Sequence, residues 1–166
     1  MPLMSRRVYD RYKHHWVDPA ISEMYEDQKE RAIEAAPKPL RIASDGQYDS
    51  RGYSAEMCCV LAMDEVTKRI LTFAVVDKSE VGGVSNRMEK FGTQRVVEEL
   101  QGRNLEISGV TIDKHAAVMK YFKDIGIVFN LDAWHLLGKL SSSIRAEVKS
   151  LKKQPEQQGI LRDLGR

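Results

Sequence analysis

The sequence predicts an α/β domain with a mixed five-stranded sheet in the order 3-2-1-4-5, flanked by helices and preceded by an N-terminal helical arm. Apolar runs first form three successive strands separated by turn residues, and then alternate with helical patterns. Strand-helix-strand units cross over with a right hand, which places their helices against the sheet. The fourth strand is therefore expected beside the first, and the fifth beside the fourth.

The composition is that of an ordinary globular protein. Of 166 residues, 42% are hydrophobic and 30% are charged, and the net charge of +2 gives no argument for nucleic-acid binding. No apolar run approaches the about 18 residues that cross a bilayer, and the first residues lack the pattern of a signal peptide. Adjacent Cys58 and Cys59 point to opposite faces of a predicted strand and are interpreted as reduced core residues. We expect an intracellular protein, nuclear if its source is eukaryotic.

The helical arm is predicted to cover residues 1–37. Two tyrosines and a tryptophan recur there at spacings of three and four, which marks one stripe of a helix. Asp18 followed by Pro19 is typical of an N-cap with proline in the first turn, so a second helix is predicted to start there. Two prolines then end that helix, and residues 38–166 are predicted to form the α/β core.

The elements of the core follow from periodicity and turn signals. A first strand covers "LRIASD" and is predicted to end at Asp45; a hairpin with the turn "DEVTK" supplies the next two strands. Asn86 and Glu89 have the spacing of a capping box, which predicts the start of a helix. Two further strands end at Asp113 and Asp132, each followed by a helix. The last helix has an apolar stripe and a basic far side.

Three predicted strands thus end at aspartates: Asp45, Asp113 and Asp132. In the predicted order, the first and fourth strands are neighbours with their carboxyl ends at one edge, where open α/β sheets bind ligands. Two carboxylates held together repel unless a cation lies between them. Hard oxygen ligands suit Mg²⁺ or Mn²⁺, and two such ions about 3.5–4 Å apart stabilise phosphodiester displacement. The sequence therefore predicts a metal site at Asp45 and Asp113, with helix or turn capping as the alternative for a single aspartate.

Four stretches of the chain resemble transposon-derived proteins of the ribonuclease H-like fold. They are, in order, "SDGQYDSRGYSAEMCCVLAMDEVTKRIL", "EVGGVSNRMEKFG", "VTIDKHAAVMKYF" and "NLDAWHLLGKL", and the resemblance begins near "YKHHWVDPAI". The chain is similar to the core of a DDE/D-type transposase. The resemblance implies metal-dependent DNA strand cleavage and transfer, with two Mg²⁺ or Mn²⁺ ions in a complete site. Its expected partner is DNA, as transposon ends or target DNA. No membrane is expected, and a homo-oligomer is left open.

The resemblance also assigns roles to single residues. Asp45 and Asp113 match the first two catalytic metal ligands of that family, and Asp132 is a further candidate for a catalytic carboxylate. Asp132 and His135 match the family's C/DxxH motif. The basic side of the last helix could bind a phosphate backbone weakly; the alternative is that these residues are simply solvated. They are Lys139, Arg145, Lys149, Lys152 and Lys153.

One departure from the family concerns its third catalytic acid, commonly a glutamate beyond a helical insertion after the fifth strand. Glu147 would lie about 22 Å from the strand end at 1.5 Å per helical residue, and Glu156 follows a break at Pro155. We therefore expect the third acid to be missing and this core to be truncated in or before the insertion. The chain by itself is then expected to show no strand transfer and at most trace Mn²⁺-dependent nicking.

Three functional hypotheses are carried forward. The first is a transposase-derived enzyme that cleaves and transfers DNA strands. The alternative is a catalytically inactive transposon remnant that acts as a DNA- or protein-binding module, and the third is a separate nuclease of the same fold. Asp49 is an alternative to Asp45 as the first ligand, although it falls in a turn. His115, close to Asp113, is expected to be exposed.

Overall fold

The computed structural model describes residues 4–151. The strands are β1 (Leu40–Tyr48), β2 (Met57–Asp64), β3 (Ile70–Asp77), β4 (Ile107–Ile112) and β5 (Phe129–Leu131). The helices are α1 (Arg6–Tyr12), α2 (Asp18–Ala35), α3 (Met88–Gly102), α4 (Ala116–Asp124) and α5 (Ala133–Leu151). None of the helices in this part of the chain is both long and apolar enough to cross a membrane.

The sheet has five strands in the order β3-β2-β1-β4-β5. The three strands joined by short connections pair antiparallel, whereas β1 pairs parallel with β4 and β4 with β5. Parallel neighbours need a crossover connection, and α3 and α4 lie in those crossovers. The predicted mixed five-stranded sheet, its strand order and its flanking helices are confirmed.

The buried core comprises residues of the sheet, of α3 and α4, and of the end of α2. The apolar side chains of α3 are buried against β2 and β3, with Val96 and Leu100 among them. At Gly92 of α3, an added Cβ would lie only 2.6 Å from Cγ2 of Val60 in β2. The absence of a side chain at Gly92 therefore lets α3 lie close against the sheet. This close packing fixes the position of α3, and therefore of its side chains, relative to the sheet.

Strand β1 is longer than predicted. It continues past Asp45 to Tyr48, so the prediction that the strand ends at Asp45 is wrong. Its parallel pairing with β4 stops at Ser44, opposite Ile112, but its antiparallel pairing with β2 continues. Cross-strand pairing with β2 thus overrides the turn-forming composition of the segment.

The N-terminal arm is one continuous helical segment. A π-helical turn, Lys13–Val17, joins α1 to α2, and Val17 has helical dihedral angles. Asp18 is therefore no N-cap, and its carboxylate instead lies 3.1 Å from His14. A proline inside a helix lacks the N–H donor and its ring clashes with the preceding turn, and the wider π turn lies directly before Pro19. The boundary predicted between residues 37 and 38 falls in the connection from α2 to β1.

Helix α5 begins directly after β5, as predicted, but its apolar stripe is exposed. Trp134 is 79% exposed and Leu140 is 56% exposed. An apolar stripe at helical spacing is normally buried against a core. Within residues 4–151, neither the sheet nor another helix covers this one.

Candidate active site

Asp45, Asp113 and Asp132 line one cavity of about 260 Å³. The last parallel pair between β1 and β4 is Ser44 with Ile112, so Asp45 and Asp113 are the next residues on neighbouring strands. Asp132 directly follows β5, and its backbone N–H donates to the carbonyl of Ile112 at 2.9 Å. Strands β1, β4 and β5 are parallel, so their carboxyl ends lie at the same end of the sheet. This brings together three carboxylates that are far apart in the sequence.

The cavity combines carboxylates with apolar side chains. Ala43, Leu61 and Met63 line it next to Asp45, because they share the sheet face of Asp45. Charges beside an apolar surface are screened less than charges in open water. A cation or phosphate at this edge would therefore interact with the aspartates more strongly than at an open surface.

Asp132 has a second role in the local structure. Its Oδ1 accepts a hydrogen bond from the backbone N–H of Trp134 at 2.8 Å, in the first turn of α5. The capping alternative is thus observed for Asp132, and the same side chain lines the cavity. The cap fixes the carboxylate at the end of β5.

Asp49 lies outside this cavity. Its Oδ1 accepts from the backbone N–H of Glu56 at 3.1 Å, and its own N–H donates to Met57 at 3.2 Å. These bonds close the exposed connection from β1 to β2. The structure therefore places Asp45, and not Asp49, beside Asp113.

The three carboxylates form a donor set that suits a hard divalent cation. Within residues 4–151, however, no three aspartate, glutamate, histidine or cysteine side chains lie close enough together to hold a metal ion as placed. Mg²⁺ retains several waters and uses one or two protein carboxylates together with substrate phosphates. The chemistry of the site therefore fits such an ion, but the site has no preformed three-ligand cage.

Sequence reasoning missed Glu89 of α3, whose side chain is only 15% exposed. The hydroxyl of Tyr48 donates to its Oε2 at 3.3 Å, and Nε2 of His115 lies 4.0 Å from the same oxygen. Burial raises the pKa of Glu89, and the nearby His115 and Tyr48 lower it. The negative charges of Asp45 and Asp113 also raise this pKa.

The capping box predicted for Asn86 and Glu89 is wrong. Helix α3 starts at Met88 after a 3₁₀ turn, and no side chain caps it. The carboxylate of Glu89 is instead directed to the sheet. One sequence signal could have found it, because Glu89 is in register with Gly92, Val96 and Leu100, positions of the buried stripe of α3. An acid in a buried stripe is unusual unless it has a partner.

His115 differs from its prediction as well. It is the N-cap of α4, where its Nδ1 accepts from the backbone N–H of Val118 at 3.4 Å. An uncapped helix start leaves N–H groups without acceptors, which explains why the imidazole folds back over α4. His115 is consequently half-buried rather than exposed. Together with Tyr48 and Glu89, it lines a second cavity of about 580 Å³, separate from the cavity lined by the three aspartates.

The remaining predicted residues lie on or after α5. Glu147, Arg145 and Lys149 are exposed on this helix. His135 and Lys139 belong to α5, but their side chains lie outside the described part of the structure. Three further predicted positions lie outside residues 4–151: Lys152, Lys153 and Glu156.

Comparisons with known proteins give a likeness in fold. No protein-family model matches this sequence, and no curated protein matches it. The catalytic core domain of HTLV-2 integrase, in complex with magnesium, is 9% identical with a TM-score of 0.39, over 72% of this chain and 79% of that one.

Two Endonuclease V structures are also similar in fold. One from Ciona intestinalis, bound to inosine-containing DNA, is 13% identical with a TM-score of 0.33, over 66% of this chain and 54% of that one. The human catalytic domain is 11% identical with a TM-score of 0.30, over 57% of this chain and 47% of that one. This chain thus spans about half of each Endonuclease V chain. At these identities the likeness concerns the fold and assigns no activity.

Proposed function

We propose that this chain is the core of a transposase-like enzyme that cleaves and joins DNA strands with Mg²⁺ or Mn²⁺. The observation that supports the proposal most is the cavity lined by Asp45, Asp113 and Asp132 at the edge where β1, β4 and β5 meet. Carboxylates at this edge are positioned by the rigid sheet, which suits chemistry that depends on geometry. The sequence resemblance supports DNA as the substrate.

In this proposal, Asp45 and Asp113 would hold the metal ion. When bound, the ion stabilises charge on the attacking and leaving oxygens of a phosphodiester. The two aspartates directly follow the last backbone pair between the neighbouring strands β1 and β4, so the sheet brings them to the same end. Asp132 is the third carboxylate, and its cap on α5 limits its rotation.

The substrate strand would lie across the carboxyl ends of the strands, with the scissile phosphate at the cavity. Water or a 3′-hydroxyl is the attacking group. The exposed Arg145 and Lys149 on α5 supply positive charge for the backbone of the DNA. Binding that rests on such phosphate contacts weakens as salt increases and does not discriminate between base sequences.

Calorimetric titration with Mn²⁺ tests the metal site. We expect Asp45→Asn and Asp113→Asn each to weaken Mn²⁺ binding by about tenfold or more, because each removes a charged ligand. Asp49→Asn is the matched control: an asparagine oxygen can still accept from Glu56, and the residue lies outside the cavity. Equal losses in all three variants would show that the first ligand is misplaced. The absence of Mn²⁺ binding by the unchanged chain would contradict the metal site.

Nicking of supercoiled plasmid tests the activity. We expect no strand transfer and at most trace Mn²⁺-dependent nicking by the 166-residue chain; any such nicking should be abolished by Asp113→Asn and retained by Asp49→Asn. The reaction depends on holding the attacking and leaving oxygens nearly in line, and loss of a ligand disturbs that alignment. DNA binding without nicking above the level of the Asp113→Asn variant would favour the alternative of an inactive binding module.

A further inference from the structure

The first half of the N-terminal arm is an exposed helix. No residue of α1 or of the π-helical turn is buried. Among the described residues, the packing of α2 against the sheet starts at Tyr25, whose ring lies 5.0 Å from that of Phe73 in β3. It continues with the buried side chains of Ala32 and Ile33. At 1.5 Å per residue, about 28 Å of helix precedes these contacts. A helix of this length is only marginally stable in water without a packing partner.

Large apolar side chains follow one face of this exposed helix, and we name them the arm stripe. They recur at spacings of three and four in two series: Tyr9, Tyr12, Trp16 and then Val17, Ile21, Met24. The second series begins one residue after the first ends, inside the π-helical turn. A π turn accommodates one extra residue, which keeps both series on the same face. Trp16 is 68% exposed and Ile21 is 54% exposed. A contiguous apolar face of this kind marks an interaction surface.

The charges of the arm are divided between its two halves. Residues 6–17 contain four basic side chains and one acidic side chain, whereas residues 18–35 contain six acidic and two basic ones. This polarity opposes the helix macrodipole, which favours acidic residues near the N-terminus and basic residues near the C-terminus. A second arm in antiparallel orientation would instead place the basic half of each copy opposite the acidic half of the other. Complementary charge of this kind selects the partner and its orientation.

The arm stripe is also matched to an antiparallel copy of itself. With a two-fold axis between residues 16 and 17, Tyr12 opposes Ile21 of the second copy and Tyr9 opposes Met24, since the members of each pair lie equally far from the axis. Two-fold symmetry makes each of these contacts occur twice. A fully buried aromatic side chain removes about 150–250 Å² from water. The aromatic and aliphatic side chains of two stripes together therefore reach the lower limit of about 1,200 Å² for a specific interface.

One charged pair is specific to this register. Arg11 lies two helical turns after Met4, and Glu23 lies two turns after Trp16, so both border the stripe on the same side. They are equally far from the axis to within one residue, and a two-fold axis brings the same flank of each helix together. Both side chains are exposed, and neither has an ion-pair partner within residues 4–151.

We infer that the N-terminal arm is a self-association surface. Two copies of this chain pair in antiparallel orientation through the arm stripe, and Arg11 of each copy lies opposite Glu23 of the other. This inference goes beyond the proposed function, because it depends neither on the metal site nor on DNA.

Sedimentation equilibrium of the complete chain tests the apolar part of this interface. We expect a dimer at micromolar concentration, and we expect Trp16→Glu to weaken it by about a hundredfold or more, because the change affects both copies next to the axis. Trp134→Glu is the matched control, since Trp134 is equally exposed but lies on α5; it should leave the dimer intact. Circular dichroism measures whether each variant keeps its helices. A monomeric unchanged chain would overturn the inference, and so would a dimer that Trp134→Glu dissociates and Trp16→Glu does not.

Charge reversal tests the register and keeps the helix exposed and apolar as before. Arg11→Glu and Glu23→Arg should each weaken the dimer by about tenfold, because each creates two like-charged pairs. An equimolar mixture of the two single variants should dimerise as tightly as the unchanged chain, since an acidic flank then faces a basic flank. The double variant should recover in the same way. If neither reversal changes the dissociation constant, or if the mixture stays as weak as each variant alone, the antiparallel register is wrong and the inference fails.

Discussion

Helices α3 and α5 have similar sequence patterns and different surroundings. Both carry apolar residues at spacings of three and four, with polar residues on the other side. In α3 the apolar face is buried against β2 and β3, and Leu100 is 0% exposed. In α5 the corresponding side chains are exposed, as Leu140 shows. A periodic pattern therefore predicts which face of a helix is apolar, but not whether anything covers that face.

The difference arises from how each helix is attached. Helix α3 is held at both ends by strands of the sheet, β3 before it and β4 after it, and the absence of a side chain at Gly92 lets it lie close against the sheet. Helix α5 follows β5, a three-residue strand at the edge of the sheet. A substitution in α3 therefore acts on packing, whereas the same substitution in α5 acts mainly on an exposed helix surface.

The largest expected contrast is between two leucine truncations. Leu100→Ala should lower the free energy of unfolding by about 2–5 kcal/mol, because it opens a cavity in a closed core. Leu140→Ala should lower it by less than about 0.5 kcal/mol, since this side chain is exposed. Urea unfolding followed by circular dichroism measures both. A comparable loss in the two variants would show that the apolar face of α5 is covered in solution.

The next contrast is between two glycine-to-alanine substitutions that should change the stability of the protein in opposite directions. Gly92→Ala places a methyl group 2.6 Å from Val60 and should destabilise the protein by about 1–3 kcal/mol. Gly138→Ala, in α5, meets nothing within 4 Å and should stabilise it by about 0.5–1 kcal/mol, because alanine loses less backbone freedom in a helix. Both values come from the same unfolding measurements. Stabilisation by Gly92→Ala would mean that α3 lies farther from the sheet than described.

The smallest expected effect is a pH dependence at Glu89 in metal-free protein. Its pKa is raised on folding, mainly by burial, above the ordinary value of 4.5. In the window above 4.5 the folded state therefore binds more protons than the unfolded state, so stability falls as pH rises through that window. Glu89→Gln lacks this group and should gain stability relative to the unchanged chain as pH rises. If the free energies of unfolding of the two proteins changed in parallel between about pH 4 and pH 8, this result would contradict a raised pKa of Glu89.

The sequence by itself determined the strands, their order and the place of the aspartates. Alternation of apolar residues marks a strand, and the right-handed crossover fixes which strands become neighbours. Once β1 and β4 are parallel neighbours, Asp45 and Asp113 lie at the same end of the sheet, since they directly follow the last pair between these two strands, Ser44 and Ile112. These features depend on local pattern and chain connectivity, which a sequence contains in full.

Only the tertiary structure decided the surroundings of those aspartates. Locally, Glu89 has the spacing of a helix cap, and Asp45 stands where turn residues begin. Pairing with β2 extends β1 past Asp45, and close packing at Gly46 directs Glu89 to the sheet. The first contact pairs Asp45 with Leu61, and the second joins Gly46 and Glu89, which are far apart in the sequence. The strength of both depends on distances and volumes that periodicity does not specify. For the same reason, the pattern of α5 gave its apolar face correctly but could not show that this face would lie uncovered.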